Sequence, residues 1–433
     1  METVHLISLG CPKNLVDSER MLGLLERNGY VPTEEAEEAD VVIVNTCGFI
    51  APAKEESIDT VFEAARLKKE GRCKALIVAG CLAQRYGAIL RRELPEADAI
   101  LRLEDVERIA AHCDRLLGHR RPICSNGGRH LLTPQHSAYL RIADGCDNRC
   151  TYCAIPLIRG PCRSQPMEAL LAEARALCEQ GVRELNLIAQ DTTQYGVDLY
   201  GELRLVELMD ALSEIGALQW IRLLYAHPAH FSQDLIDGIA RNEKVCRYVD
   251  LPLQHISDPL LYAMNRKVTG DHIRSLIRRL RSDVPGIALR TSLIVGFPGE
   301  TDTHFEELLD FVVEARFERL GAFVYSREEG TPAAAFEGQV PDEVKQERLD
   351  RLMMQQQEIV WETHRAWIGK RVQVLVDRPG EEAPIRWVGR TAWDAPEVDG
   401  SVLITEGDAL PGDFVHVVIA DAEAYDVFGT IVQ

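Results

Sequence analysis

No apolar run in this 433-residue sequence approaches the roughly 18 residues that a membrane-spanning helix requires. The opening residues, METVHLISLGCPKN, contain neither a basic leader nor a long apolar stretch. No secretory signal is therefore read, and a cytoplasmic protein without membrane attachment is expected. Positive charge is also scarce: 48 Lys and Arg face 68 Asp and Glu, a formal net charge of −20. That balance argues against a broadly nucleic-acid-binding surface and is compatible with a basic partner or with solubility alone. A disulfide scaffold is excluded on other grounds. Twelve cysteines in a long, 46% hydrophobic, cytosolic-looking chain read as metal or redox chemistry. At roughly 100–200 residues per domain, the length predicts two to four domains.

In the first third a pattern recurs. The runs VHLISLGC, DVVIVNTCGF and CKALIVAGC bring Cys11, Cys47 and Cys81 to the ends of three short β-branched stretches. Runs this apolar predict strands buried on both faces of a parallel sheet. The helical stretches between them stop at Gly29 and Gly71, as helices ending in glycine do. A doubly wound parallel sheet follows, and ligands of such sheets gather at the carboxyl ends of the strands. One cysteine in a βα turn is an ordinary buried residue. Three at equivalent positions would bring three thiols together at one edge. Cys73, Cys113, Cys124, Cys162, Cys178 and Cys246 share no spacing and read as structural.

A Gly-, Pro- and Arg-rich stretch, GHRRPICSNGGRHLLTP, then marks a linker. After it come six strand candidates, AYLRIAD, ELNLIAQ, WIRLLYA, RYVDLPL, ALRTSLIVG and RLGAFVY, separated by amphipathic helices. This alternation predicts a parallel βα sheet. Six strands fall short of the eight in a closed barrel, so a partial, open (β/α)6 barrel is expected, with room for a bulky substrate. Directly after its first strand, DGCDNRCTYCAIP carries Cys146, Cys150 and Cys153 at C-x3-C-x2-C spacing. The loops after barrel strands are where chemistry gathers. Three thiolates can hold three irons of a 4Fe–4S cubane and leave the fourth open. The rival is a structural zinc knuckle, which needs a fourth ligand close by and is offered only Cys162.

This loop in this barrel resembles the radical S-adenosylmethionine superfamily. The resemblance implies that S-adenosylmethionine chelates the open iron and is cleaved to a 5′-deoxyadenosyl radical, chemistry beyond ordinary side chains. It also makes Tyr152, before the third cysteine, an adenine neighbour. Gly296 and Pro298 in TSLIVGFPGET become adenosine contacts, with Gln190 at the end of the second strand a further candidate. Turn geometry alone is the competing explanation for these residues. His227, His230 and His255 end strands on the same face and are assigned no role.

The tail begins with a helix from Pro341, with apolar residues at Leu349, Leu352, Met353, Ile359, Val360 and Trp367. Five short strands follow, predicting a small OB-like β-barrel. This unit resembles the TRAM domain. From Ile368 onward it holds 5 basic and 12 acidic residues, a balance of −7, which repels phosphate and attracts a basic protein.

Together the three units resemble the methylthiotransferases over nearly the whole chain. That family implies two 4Fe–4S clusters, the second held by Cys11, Cys47 and Cys81 and concerned with sulfur. SLGCPKNLVDSE, GCDNRCTYCAIPLIRG and YVDLPLQHIS look like the branch that modifies an aspartate β-carbon of the twelfth protein of the small ribosomal subunit. The cysteine in GPCRSQP departs from expectation without touching a ligand assignment. The expected organisation is an N-terminal cluster domain at 1–119, a linker at 120–134, the radical barrel at 135–364 and the TRAM domain at 365–433. Expected partners are a basic ribosomal protein met through the TRAM domain, a reductant such as flavodoxin or ferredoxin, and a sulfur donor, without direct tRNA binding. A tRNA adenosine methylthiotransferase and a non-catalytic iron–sulfur scaffold are the alternatives.

Overall fold

The computed structural model describes residues 1–124 and 127–432. Ser125 and Asn126 of the expected linker, and Gln433 of the expected last strand, lie outside them.

Five parallel strands form the first sheet: β1 (Thr3–Ser8), β2 (Val31–Pro32), β3 (Val41–Thr46), β4 (Ala75–Gly80) and β5 (Ala99–Ile100), in the order β2-β1-β3-β4-β5. β2 and β5 are two residues long, too short to show periodicity, and add to the three strands foreseen. Every residue of β3 and β4 is buried, because helices cover both faces. Val41, Ile43, Ala75 and Ile77 face α1 (Pro12–Arg27) and its neighbour Ile109–Leu117, while Val42, Val44, Leu76 and Val78 face α2 (Ala51–Glu70) and α3 (Cys81–Glu93). Alternate residues of one strand thus serve two cores, each buried aliphatic side chain contributing about 1.5–3 kcal/mol. The strand order reverses between β1 and β3, the switch point at which such sheets bind ligands.

The expected linker is packed rather than slack. A Cβ on Gly23 of α1 would lie 2.0 Å from the Gly128 carbonyl oxygen. Arg129 pairs with buried Glu19 and with Glu173, and donates to the Tyr139 carbonyl at 2.6 Å.

β6 (Ser137–Arg141) opens the second sheet. A two-residue ribbon, β7 (Ala143–Asp144) with β8 (Arg163–Ser164), brackets the cysteine loop. The remaining strands are β9 (Glu184–Ile188), β10 (Trp220–Leu223), β11 (Val245–Asp250), β12 (Ala288–Val295) and β13 (Arg319–Val324). Their order β13-β12-β11-β10-β9-β6 is parallel throughout and leaves β13 and β6 as edges, the open barrel expected. Helices 167–179, 205–213, 233–241, 270–283 and 302–315 cover its outside. After a long helix over 342–365, β14 (Arg371–Pro379), β15 (Trp387–Arg390), β16 (Val402–Glu406), β17 (Phe414–Ala422) and β18 (Val427–Val432) close a barrel ordered β14-β15-β16-β18-β17.

The small barrel docks at the N-terminal ends of the radical-barrel strands. Leu375 and Ala395 share a core with Tyr139, Trp220 and Tyr248, and Phe414 packs edge-on to Trp220 at 4.8 Å. Three of its twelve acids turn inward: Asp377 to Arg390 and His136, Asp394 to Arg319, Asp399 to Arg290. Among its exposed residues, seven acids (Glu381, Glu382, Glu397, Glu406, Asp408, Asp421, Glu423) face four bases (Lys370, Arg371, Arg378, Arg386). The outer surface is therefore acidic, though less so than −7. Among the described residues no helix is long and apolar enough to cross a membrane.

Candidate metal centres at two facing sets of strand ends

Cys11, Cys47 and Cys81 follow β1, β3 and β4, each beside a glycine that permits close approach. Gly10 takes φ +91°, and a Cβ there would lie 2.8 Å from Cys47 Cβ. Gly80 takes φ +95°, and a Cβ would stand 2.3 Å from Asn45 Oδ1 and 2.5 Å from the Thr46 oxygen. Only glycine suits such positions. Asn14, in the first turn of α1, clamps the set: its Nδ2 donates to the Leu9 and Thr46 carbonyls, each at 2.9 Å. Its Oδ1 accepts from the Cys81 thiol at 3.3 Å. Burial pushes the Cys81 thiol up to about 12, with the neighbouring Cys11 and Cys47 adding to the effect. Thiols this reluctant to ionise become thiolates when a metal supplies the positive charge.

The second set lies on the loop after β6 and β7. Gly145 folds the loop back at φ +78°, and Cys146 N–H donates to the Gly160 carbonyl at 3.0 Å. Thr151 N–H reaches the Met264 carbonyl at 3.1 Å, and Ala333 N–H reaches the Thr151 carbonyl at 2.9 Å. Arg266 sits 3.5 Å from Cys150 Sγ and donates to Tyr152 Oη at 3.3 Å. Burial first, then the facing Cys150, pushes Cys153 up to about 12; Cys146 is pushed up to about 11, again mainly by burial.

Among the described residues, no three thiols lie within 4.8 Å of one another. One tetrahedral zinc, with Zn–S near 2.3 Å, needs its sulfurs about 3.8 Å apart. Neither set is drawn together as a closed tetrahedral zinc site, and three thiolates apiece are the complement that a cubane takes when each thiolate holds a different iron and one iron stays open. Cys162 is half-buried against the barrel core and completes no four-sulfur site.

A polar ligand beside the triplet is also accommodated. Gln190, at the end of β9, donates through Nε2 to Asp144 at 3.2 Å, while its buried Oε1 has no partner. An amide oxygen left so is costly unless a donor arrives, and the amino group of S-adenosylmethionine is such a donor. Tyr152 packs with Phe297, Met264 and Tyr325, whose buried hydroxyl is likewise unpartnered. The turn with Gly296 and Pro298 is buried. A Cβ on Gly296 would lie 2.2 Å from Lys345 Cγ, and its N–H is taken by Glu300 at 2.8 Å. Its glycine is thus required by packing against the 342–365 helix.

The two cysteine sets meet through charged residues that sequence reading did not single out. Arg159, 4% exposed, donates to Asn14 Oδ1 and Asp17 Oδ2, both at 2.9 Å, and to Asp144 at 3.1 Å, and stands 3.5 Å from Cys81 Sγ. Arg141 meets the other Asp17 oxygen at 2.5 Å. Lys13, 5% exposed, holds its ammonium 2.8 Å over the Tyr225 ring centroid at the mouth of the barrel. Lys13, Asn14 and Asp17 lie within the quoted SLGCPKNLVDSE motif and Arg159 within GCDNRCTYCAIPLIRG, so the signal was there, but pairing across about 145 residues leaves no local pattern.

Asp191, His227 and His230 also converge, with ligand atoms within 4.8 Å. Both Asp191 oxygens are already engaged: one by Thr193, the other by Asn148 at 2.7 Å and His230 Nδ1 at 2.9 Å. His227 stacks on His230 at 4.9 Å, and burial, then the Arg266 charge, pushes it down to about 2, so it is neutral. The cluster orients Asn148 in the triplet loop. The strap after β13 closes the rim: Glu328 meets Lys54 and Arg85, each at 2.8 Å. An outer groove of about 670 Å³ along this strap, lined by Arg327, Glu329 to Pro332, Ala334 and Ala335, contains none of the cysteines.

Three family models match the chain: the uncharacterized protein family UPF0004 over residues 3–102, the radical SAM superfamily over 140–312 and the TRAM domain over 368–432. Among curated relatives, the ribosomal protein uS12 methylthiotransferase RimO of Desulforamulus reducens is 50% identical, covering 100% of both chains. That of Heliobacterium modesticaldum is 51% identical over 99% of this chain and 95% of its own, and that of Geobacter sulfurreducens 49% over 100% and 99%. Among solved structures, the radical S-adenosylmethionine methyltransferase TsrM of Kitasatospora setae, with tryptophan and a SAM analogue bound, has a TM-score of 0.55 at 13% identity, covering 83% of this chain and 89% of its own. The same enzyme with cobalamin and a [4Fe-4S] cluster bound has a TM-score of 0.53 at 15% identity, covering 77% of each chain. At such identity the likeness is one of fold.

Proposed function

This chain belongs to the ribosomal protein uS12 methylthiotransferases of the radical S-adenosylmethionine superfamily, and from that premise we propose how its residues divide the work. It is an enzyme that replaces a C–H on the β-carbon of a uS12 aspartate with a C–S–CH3 group, using an iron–sulfur cluster and S-adenosylmethionine. Two clusters take part: one on Cys146, Cys150 and Cys153, the other on Cys11, Cys47 and Cys81. When bound, the clusters and S-adenosylmethionine supply a 5′-deoxyadenosyl radical and a methylated sulfur. The observation that carries this reading is the placing of two three-thiol sets at facing strand ends, joined by the Asn14–Arg159–Asp17 network.

Each protein group has a defined task. Three thiolates per set leave one position unclaimed, which is where a working metal differs from a structural one. Gln190 and Tyr152 contact S-adenosylmethionine, while Gly296 and Pro298 shape the turn beside it. Arg159 fixes the spacing of the two sets, and the buried Arg–Asp pairs keep bulk water from the space between them. The units divide at 1–119, 135–364 and 365–433, with 120–134 a packed connector. Acids on the outer TRAM surface steer the basic ribosomal protein toward the mouth. The electron comes from a flavodoxin- or ferredoxin-like reductant, and the sulfur from a separate donor.

The test is mass spectrometry of an anaerobic reaction holding reconstituted enzyme, reductant, sulfide, S-adenosylmethionine and a uS12 target-loop peptide. One methylthio group gained on aspartate is the expected result. An unmodified peptide with continued 5′-deoxyadenosine release would contradict the substrate, and tRNA would then be assayed in its place.

A further inference from the structure

Buried cations from several elements approach the mouth of the radical barrel. Arg141 and Arg159 are neutralised by Asp17 and Asp144, and Arg266, beside Cys150, donates to the Tyr152 hydroxyl and the Pro252 carbonyl. Lys13 differs from all three. Its ammonium makes no hydrogen bond or ion pair with any described residue and rests only on the face of Tyr225. A cation held in this way at 5% exposure is partly compensated by the ring's quadrupole, but lacks the anion that buried charges ordinarily require. Its place is informative. Lys13 stands two residues after Cys11, on the N-terminal side of the mouth, and Tyr225 follows β10 on the other side. It therefore spans the gap in which a carbon must meet both the radical and the sulfur.

We propose that Lys13 is a positioning residue that binds the carboxylate of the substrate aspartate. The proposal rests on the uS12 reading above and adds to it the basis of side-chain selection. The aspartate carboxylate is bonded directly to the β-carbon. Pairing it with Lys13 leaves that carbon one bond from a fixed point beside Cys11, with its hydrogen turned to the triplet side. Asparagine offers the same shape without the charge and leaves Lys13 unpaired. The ammonium recognises a carboxylate, and S-adenosylmethionine also carries one. The geometry favours the substrate, because Lys13 lies two residues after Cys11 and, among the described residues, its ammonium has no hydrogen bond to the triplet loop or to Gln190.

The experiment uses full-length enzyme carrying both clusters and S-adenosylmethionine, titrated by fluorescence anisotropy with target-loop peptides bearing aspartate or asparagine. The wild type is expected to prefer aspartate by at least about tenfold, as sites built around a polar group do. Lys13→Met is expected to bind both peptides within about twofold of each other, and Lys13→Arg to keep the preference. Iron content and S-adenosylmethionine affinity should stay at wild-type levels in both variants. Persistence of the aspartate preference in Lys13→Met, equal loss in Lys13→Arg, or weakened S-adenosylmethionine binding would overturn the proposal. Methylthiolation of the aspartate peptide by the wild type is measured alongside. Its absence would overturn the substrate reading and this proposal with it, whereas its presence with an unchanged Lys13→Met preference overturns the proposal alone.

Discussion

Glu184 is the buried keystone between the radical barrel and the TRAM barrel, and replacing it with glutamine is the most quantitative test of how they are joined. The side chain is fully buried. It accepts from Arg222 at 3.0 and 3.2 Å, from Arg390 at 2.8 and 3.2 Å, and from the Ser137 hydroxyl at 2.8 Å. An amide in its place points an NH2 at an arginine and leaves Arg222 with only the Thr391 and Ala392 carbonyls. Breaking one partner of a buried ion pair costs about 3–5 kcal/mol. With an unfolding entropy of about 2.1 cal/mol/K per residue, a cooperative chain of this length gives roughly 0.9 kcal/mol per degree, so the melting temperature should fall by about 3–5 °C. The same group sets an acid limit. Despite burial, which opposes ionisation, Arg390 and Arg222 hold its pKa down to about 2, against an ordinary 4.5. Its stabilisation, about 3 kcal/mol, is complete above pH 4.5 and disappears as pH falls toward 2. Glu184→Gln should flatten that limb of the stability curve. Differential scanning calorimetry from pH 3 to 7, with exposed Glu381→Gln as control, makes both measurements. A melting point within about 1 °C of wild type would refute the network's role.

Three further outcomes are expected. Gly80→Ala should abolish iron binding at the N-terminal set while the triplet still loads, because the new Cβ meets Asn45 and the Thr46 backbone; iron analysis with electron paramagnetic resonance separates the two. Gln190→Leu should remove a buried acceptor and weaken S-adenosylmethionine binding by about tenfold, read by equilibrium dialysis with no change in cluster content. Lys13→Met should erase discrimination between aspartate and asparagine peptides, as argued above.

The readable features of the fold were those written in local periodicity. β3 and β4 are continuous aliphatic runs, and the six barrel strands alternate with helices of ordinary length, so all could be placed. The thiol gathering of Cys11, Cys47 and Cys81 was legible because sheet topology carries residues about 35 positions apart to one edge. What stayed hidden depends on tertiary contact. Arg159 finds Asp17 and Asn14 across about 145 residues, Arg390 finds Glu184 across 206, and Glu328 reaches back to Lys54 and Arg85. β2 and β5 were too short for any pattern. Charge counting also overstated the TRAM surface, since Asp377, Asp394 and Asp399 face inward. Gly296, read as a ligand-approach glycine, has in addition a packing reason that the sequence did not show, the Lys345 stem against its Cα.

The central claim is that two independent three-thiol sets each hold a cubane. Iron and acid-labile sulfide should be counted per chain in the anaerobically reconstituted wild type and in two triple variants, Cys11→Ala/Cys47→Ala/Cys81→Ala and Cys146→Ala/Cys150→Ala/Cys153→Ala. The account predicts about eight irons in the wild type and about four in each variant, with S-adenosylmethionine cleavage surviving only in the first. About four irons in the wild type, or the same loss of cleavage in both variants, would contradict it.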